Sequence, residues 1–311
     1  MGADLSGALI VHHGGALTTV QDLGRVGWSD FGVPTAGALD TIALRLANRM
    51  VGNSDQAAGI EMHLQGPVLQ ARTDTWVAVI GGRFGPQPGA VMLLRKGERL
   101  DLRDGHGTPR AVLAVRGGID VEPILGSRST CLAAGFGGVH GRALRAGDLL
   151  PIGSETVRNF SHGVPPGLMF ESDNLVSVRV LRGPHVELLG DATLRALCSA
   201  SWTASRTSNR TGFRLDGPKL ELCVDADSLS PIPTALGTIQ VTAAGQPIVL
   251  LCERPVTGGY PQLATVIAAD IGAIVRAPFG ATFRFRVVDH NDARRALQLQ
   301  TQQLTALTED L

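Results

Sequence analysis

A prevailing sign of charge is missing from this chain: Lys and Arg number 28, Asp and Glu 28, and the net charge is zero. That balance builds in no attraction to nucleic acid or to an anionic membrane surface, so neither is expected as a partner. Cysteine is scarce. The four present, Cys131, Cys198, Cys223 and Cys252, lie far apart beside apolar residues and form no C-x-x-C pair. Their spacing gives no metal or dithiol motif and reads as buried free thiols of a reducing cytoplasm. No apolar run reaches 18 residues, and the opening MGADLSGALIVHHGG has neither a basic start nor an apolar core of signal length. A secreted or membrane-spanning chain is not expected. His12, His13 and His140 have no acid at a recognisable spacing, so a Ser-His-Asp hydrolase is not indicated.

What is present is apolar and heavily punctuated. Hydrophobic residues make up 44% of the 311 residues and charged ones 18%, with 39 glycines and 17 prolines scattered between short apolar runs. Punctuation of that kind marks turns between many strands, and the length exceeds one ordinary core, so two domains are expected. Strands are read at WVAVIGG (76–82), AVMLLRKGERLDL (90–102), RAVLAVRGGI (110–119), SVRVLRGP (177–184), QPIVLLCE (246–253) and ATFRFRVV (281–288). The clearest helix is DTIALRLANRMVGN, with Asp40 as its cap and Ile42, Leu46 and Met50 on one face. Weaker helices are GDATLRALCSA (190–200) and the final ARRALQLQTQQLTALTEDL, whose thin apolar stripe reads as a partly frayed tail.

The stretch GFGGVHG within 116–150 has the glycine density of a nucleotide-binding loop without its spacing. The third glycine of G-x-G-x-x-G would fall at His140, and GRALRAGDLL follows, broken by the turn signal Gly147-Asp148 before a helix can form. Tight turns at a barrel corner are the better reading, with Ser127, Arg128 and Ser129 nearby as an anion-gathering nest. An internal echo is also visible. GRVGW (24–28) and LQGPVLQ (64–70) in the first half correspond to NRTGF (209–213) and LDGPKLE (215–221) in the second, as two similar β-rich domains would show.

The combination TTVQDLGRVGWSDFGVPTAGALD, LANRMVGN, RGGIDVEPILGSRST, AGFGGVHGRALRAGD, SNRTGFRLDGP and TGGYPQLATVI, over residues 8 to 290, resembles the biotin-dependent carboxyltransferase family, also called allophanate hydrolase subunit 2. Its relatives include KipA and the third subunit of the prokaryotic ATP-dependent 5-oxoprolinase. The resemblance implies a mostly β fold of two tandem cyclophilin-like β-barrel domains with a few short helices: 8–160, 175–290 and a helical tail at 291–311. It also implies a partner similar to KipI, or allophanate hydrolase subunit 1, and a further LamB/YcsF-like subunit. The substrate implied is a small amide-like molecule, either 5-oxoproline opened to glutamate or urea carboxylated. A KipA-type regulator that sequesters its KipI-like partner is the non-enzymatic alternative. No P-loop, ATP-grasp or biotin-attachment segment is visible in the chain. ATP, and biotin where it is used, are therefore expected through the complex, with no metal and no cofactor held by this chain alone.

Either reaction builds negative charge on an amide oxygen, which calls for fixed donors and cations. Asn209, Arg210 and Glu253 are the expected catalytic residues: Arg210 for its planar fork, Asn209 for its amide. Ser208, Gly258, Gly259, Tyr260, Arg25 and Arg128 are expected to bind substrate, the glycines by admitting a close backbone and Tyr260 by stacking or its hydroxyl. The alternative for SNRTG is a turn shaped by Asn209 and Thr211 with Arg210 facing solvent. Relatives of the family usually have Met at the place of Thr211, an acid near Ile232, a base at Gln262 and Asp at Glu253, departures that bear on substrate choice.

Overall fold

The computed structural model describes residues 7–86, 89–154, 174–223 and 229–309. The residue-160 domain boundary and residues 310–311 lie outside them. Two compact units are formed, the described residues of the first falling in 7–25, 36–154 and 304–309, those of the second in 26–35 and 174–303.

In the first unit the strands are Ala8–His13 (β1), Leu17–Gln21 (β2), Gly59–His63 (β3), Val68–Ala71 (β4), Thr75–Phe84 (β5), Val91–Leu94 (β6), Arg99–Asp101 (β7), Gly105–Val115 (β8) and Leu149–Pro151 (β9). They build a four-stranded sheet in the order β7-β4-β1-β9 and a five-stranded sheet in the order β2-β3-β8-β5-β6. Leu9, Val11, Leu69, Leu100 and Leu150 of the first sheet share one core with Ile60, Met62, Val77, Val79, Leu113 and Val115 of the second. The alternate residues Ala78, Ile80, Val112 and Ala114 pack on the other face against the helix Thr41–Met50 (α1). Cover on both faces explains why WVAVI and AVLAV are apolar without a break.

Asp40 caps α1 as expected, its carboxylate accepting from Ala43 N–H at 3.0 Å. Leu46 and Met50 are buried, but Ala43, Leu44 and Ala47 complete the face, and Ile42 only borders it. The run 90–102 departs from the single strand expected: a turn at Arg95–Glu98, closed by Glu98 N–H to Arg95 O and Arg95 N–H to Glu98 Oε2, divides it. Its halves join different sheets, β6 pairing with β5 and β7 with β4.

In the second unit the strands are Leu175–Arg182 (β10), Trp202–Ala204 (β11), Gly212–Asp216 (β12), Ile232–Pro233 (β13), Thr238–Val241 (β14), Pro247–Leu250 (β15), Thr257–Gly258 (β16), Gln262–Val266 (β17) and Thr282–Val287 (β18). Seven close a barrel in the order β10-β17-β14-β15-β12-β11-β18, and β13 with β16 forms a two-stranded ribbon. The parallel pair β10–β18 shuts the barrel, Leu175 opposite Thr282 and Val180 opposite Val287. Short helices Val186–Leu189 (α2), Asp191–Ser199 (α3) and Ile271–Arg276 (α4) lie in its connections. Trp202 is fully buried, with its indole N–H on Leu197 O at 2.9 Å. The mostly β architecture with few short helices is thus present.

Two expectations change. The final segment is one continuous helix, His290–Glu309 (α5), with Leu304 buried among the α1 residues. That contact, with Arg49 Nη1 donating to Leu304 O at 2.9 Å, ties down the end read as frayed. Of the four free thiols only Cys131 and Cys252 are buried. Cys198 is half-covered because α3 buries only Thr193, Leu194 and Leu197, and Cys223 is exposed in the connection after Leu220. Among the described residues no helix is long and apolar enough to cross a membrane.

His63, at the end of β3, faces Leu17 on one side and Arg110 on the other. Burial first, and the Arg110 charge second, lower its pKa from the ordinary 6.5 to about 4. The unfolded chain therefore takes up a proton between those values that the folded chain refuses, and stability falls as pH drops through this window. Chemical denaturation at pH 7 and pH 4.5 should show the parent losing about 1 kcal/mol more than His63→Gln, allowing for the partial exposure of the ring. Equal losses would remove His63 from the acid response.

Candidate functional site

The expected catalytic residues meet at one end of the barrel, where β15 leaves the sheet. Beyond the Gly212–Leu250 pair the backbone pairing continues: Leu251 N–H donates to Thr211 O at 2.9 Å and Glu253 N–H to Arg210 O at 3.0 Å. Arg210 Nε then reaches Glu253 Oε1 at 2.6 Å, with the two side chains 6% and 2% exposed. Arg210 Nη2 approaches Cys252 Sγ at 3.2 Å. Arg210 is therefore no solvent-facing turn residue, and part of its fork is already engaged by a protein carboxylate. Asn209 does shape the turn, its Oδ1 accepting from Thr211 N–H (2.9 Å) and Gly212 N–H (3.1 Å). The residue is exposed, and its Nδ2 donors are left for solvent or ligand. Ser208 Oγ both accepts from Arg214 N–H at 3.0 Å and donates to Arg214 O at 3.3 Å, so its hydroxyl is already used.

The TGGYP loop stands on the ribbon, Ile232 opposite Gly258 and Pro233 opposite Thr257. Two buried amides anchor it: Gln240 Nε2 donates to Tyr260 O at 3.3 Å and Gln262 Nε2 to Pro233 O at 3.0 Å. Gln262 serves here as a neutral brace. At Gly258 a Cβ would lie 2.6 Å from Gln240 Nε2 and would have to displace the amide that anchors the loop. Gly259 is different: its φ is not positive and a Cβ would meet nothing closer than 3.8 Å. Tyr260 is 41% exposed.

Sequence reading passed over Arg254. It is half-buried beside the Arg210–Glu253 pair, and its Nε reaches Thr234 O at 3.5 Å. Burial lowers its pKa. The signal available was a count: the segments 208–214 and 252–262 hold three arginines and one acid.

In the first unit the nest read from Ser127, Arg128 and Ser129 already holds an anion, the buried carboxylate of Asp22. Its Oδ1 accepts from Ser127 Oγ (2.7 Å), Gly24 N–H (2.8 Å) and Ser129 Oγ, and its Oδ2 from Arg128 N–H (2.6 Å). An internal ligand in the nest closes it to an external one. Arg25 is buried too, donating to Ser129 O at 2.5 Å with its guanidinium 4.7 Å from the Phe136 ring centre. The glycines of GFGGVHG make this closeness possible: a Cβ on Gly137 would lie 2.1 Å from Ser129 O and one on Gly138 1.9 Å from Thr130 Oγ1. Turns follow them and no helix begins there. The side chain of Arg128 pairs instead with Asp120 at 2.5 Å, on the wall of a cleft of about 390 Å³ with Gly117, Gly118 and Ser154. Among the described residues no group of His, Cys, Asp and Glu is placed to hold a metal ion.

Comparison with known proteins matches residues 31–287 to the family described as carboxyltransferase domain, subdomain A and B. The chain is 37% identical to the C-type subunit of 5-oxoprolinase from Escherichia coli over 92% of its own length and 93% of that protein. For the corresponding 5-oxoprolinase subunit of Haemophilus influenzae the figures are 31%, 94% and 96%. The solved urea carboxylase of Kluyveromyces lactis superposes with a TM-score of 0.90 and 29% identity, over 99% of this chain but only 30% of that one.

Deleting one member of the Arg210–Glu253 pair strands the other in a dry site. Arg210→Met should lower stability by about 3–5 kcal/mol, and the double change with Glu253→Leu should recover most of it. Denaturant melts of the two single variants and the double variant measure this. Near-additive losses would show that the two groups are not coupled.

Proposed function

The chain belongs to the carboxyltransferase subdomain A and B family, and from that premise we propose that it is the C-type subunit of an ATP-dependent 5-oxoprolinase, opening 5-oxoproline to glutamate within a complex. The observation that carries this reading is its 37% identity to such a 5-oxoprolinase subunit along nearly the full length of both chains. Urea amidolyases are matched at 30–31% and over less than a fifth of their length. A KipI-like chain is the proposed partner, with a LamB/YcsF-like protein as the remaining component of the enzyme in a cytoplasmic setting.

Cleaving a lactam requires charge on its carbonyl oxygen to be stabilised and water to be directed at its carbon. The barrel mouth suits the first task. The exposed Asn209 amide and Tyr260 supply donors, and the Arg210–Glu253 pair holds the turn and the loop that carry them. In this reading Arg210 and Glu253 are positioning residues. The ATP step is assigned to partner chains, because the glycine-rich stretch ends in turns and offers no helix N-terminus to a phosphate chain. A second reading, the carboxyltransferase half of a urea carboxylase, draws support from the TM-score of 0.90.

Co-expression with a KipI-like chain should yield a complex that co-elutes at micromolar concentration and withstands salt, since zero net charge provides no long-range steering. With the third component added, ATP-dependent glutamate release from 5-oxoproline is expected, and the isolated chain should show none. Turnover of urea with a biotin carboxylase, and none of 5-oxoproline, would transfer the assignment to the second reading.

A further inference from the structure

A guanidinium withdrawn from water is best compensated by an opposing charge, and otherwise by close carbonyls or an aromatic face, as at Arg25. Arg49, Arg142 and Arg179 follow that rule: their carboxylate partners Asp55, Asp148 and Asp270 raise their pKa values. Arg254 does not. Its pKa is pushed down by burial, and no carboxylate of the described residues pairs with it. The acid next to it in sequence, Glu253, is turned to Arg210. Its Nε contact with Thr234 O, at 3.5 Å, is at the outer limit of a hydrogen bond.

Its place in the fold is equally specific. Thr234 is the residue through which the ribbon joins the barrel, its N–H on Val256 O at 2.9 Å and its hydroxyl on Pro255 O at 2.5 Å. Two residues further along the ribbon Ile232 faces Gly258, a step of about 7 Å in an extended strand. Gly259 and Tyr260 follow. The fold does not demand glycine at 259, where φ is not positive and a Cβ would meet Leu229 O and Pro231 Cγ at ordinary contact distances of 3.8 and 3.9 Å, and Tyr260 is partly exposed. A cation without a carboxylate partner among the described residues thus touches the ribbon at Thr234, two residues from the Ile232–Gly258 pair that leads to Gly259 and Tyr260.

We infer that Arg254 recognises the carboxylate of a small cyclic acid whose flat amide lies against Gly259 beside Tyr260. This deepens the lactam reading and rests on it for the ring; the carboxylate contact stands on Arg254 alone. It also separates substrates, because urea has no carboxylate to offer.

The test is calorimetric titration of the full chain, with its KipI-like partner present, using 5-oxoproline, 2-pyrrolidone (the same ring without the acid), proline and glutarate. The parent should bind 5-oxoproline about tenfold or more tightly than 2-pyrrolidone, the worth of a charge-assisted contact. Arg254→Gln should bring that ratio close to one, Arg254→Lys should leave an intermediate value, and Gly259→Ala should weaken both lactams alike. If the glutamine variant melts early, the lysine variant decides by the same ratio. An unchanged ratio in Arg254→Gln, or a parent that binds none of the acids, overturns the inference. Arg254-dependent binding of proline or glutarate without preference for 5-oxoproline upholds the carboxylate contact and overturns the 5-oxoproline assignment instead.

Discussion

One ion pair sealed from water organises the end of the barrel on which the functional reading depends. Arg210 and Glu253 lie on different strand extensions, and their 2.6 Å contact fixes the turn 208–212 against the loop that leaves β15. Buried charges tolerate little misplacement, because a displaced partner leaves the other without compensation. The pair therefore works as a registration device: it fixes where Asn209 is presented and where the chain sets out toward Gly258 and Tyr260. It also engages the acid next to Arg254 in sequence, and among the described residues that half-buried arginine pairs with no carboxylate.

The first unit uses the same local device with different chemistry. Asp22 Oδ1 accepts from Gly24 N–H two residues on, as Asn209 Oδ1 accepts from Thr211 N–H, and a buried arginine stands near each turn. Arg25 lies against the Ser129 carbonyl and the Phe136 face, whereas Arg210 uses a carboxylate. The two turns are not in register with the textual echo, since Asp22 lies three residues before Arg25 and Asn209 one before Arg210. In both, a side-chain oxygen closes a short turn next to a buried arginine.

Much of the fold was legible because it rests on local rules. The Asp40 cap, the α1 pattern and the apolar strands are set by residues within a few positions of one another. The break in 90–102 was hidden, since Lys96-Gly97 reads equally as a strand interruption or as a crossing between sheets, and only the partners β5 and β4 decide. The site was legible by location more than by role. Arg210, Glu253 and Tyr260 stand out in the sequence as candidates, but which arginine has an internal acid depends on a pairing across 43 residues. The same holds for the Ser127–Ser129 nest, whose ligand comes from 105 positions away.

The way the barrel closes also bears on how this protein is made. Its first and last strands, β10 and β18, are each other's parallel neighbours although they lie about a hundred residues apart. While the ribosome is still adding the segment between them, β10 has no mate on that side, and its valines at 176, 178 and 180 have no finished core to enter. Closure can come only after Thr282–Val287 has emerged from the exit tunnel. Until then the half-made second unit presents an open sheet edge, the kind of unpaired backbone that other strands can capture during synthesis.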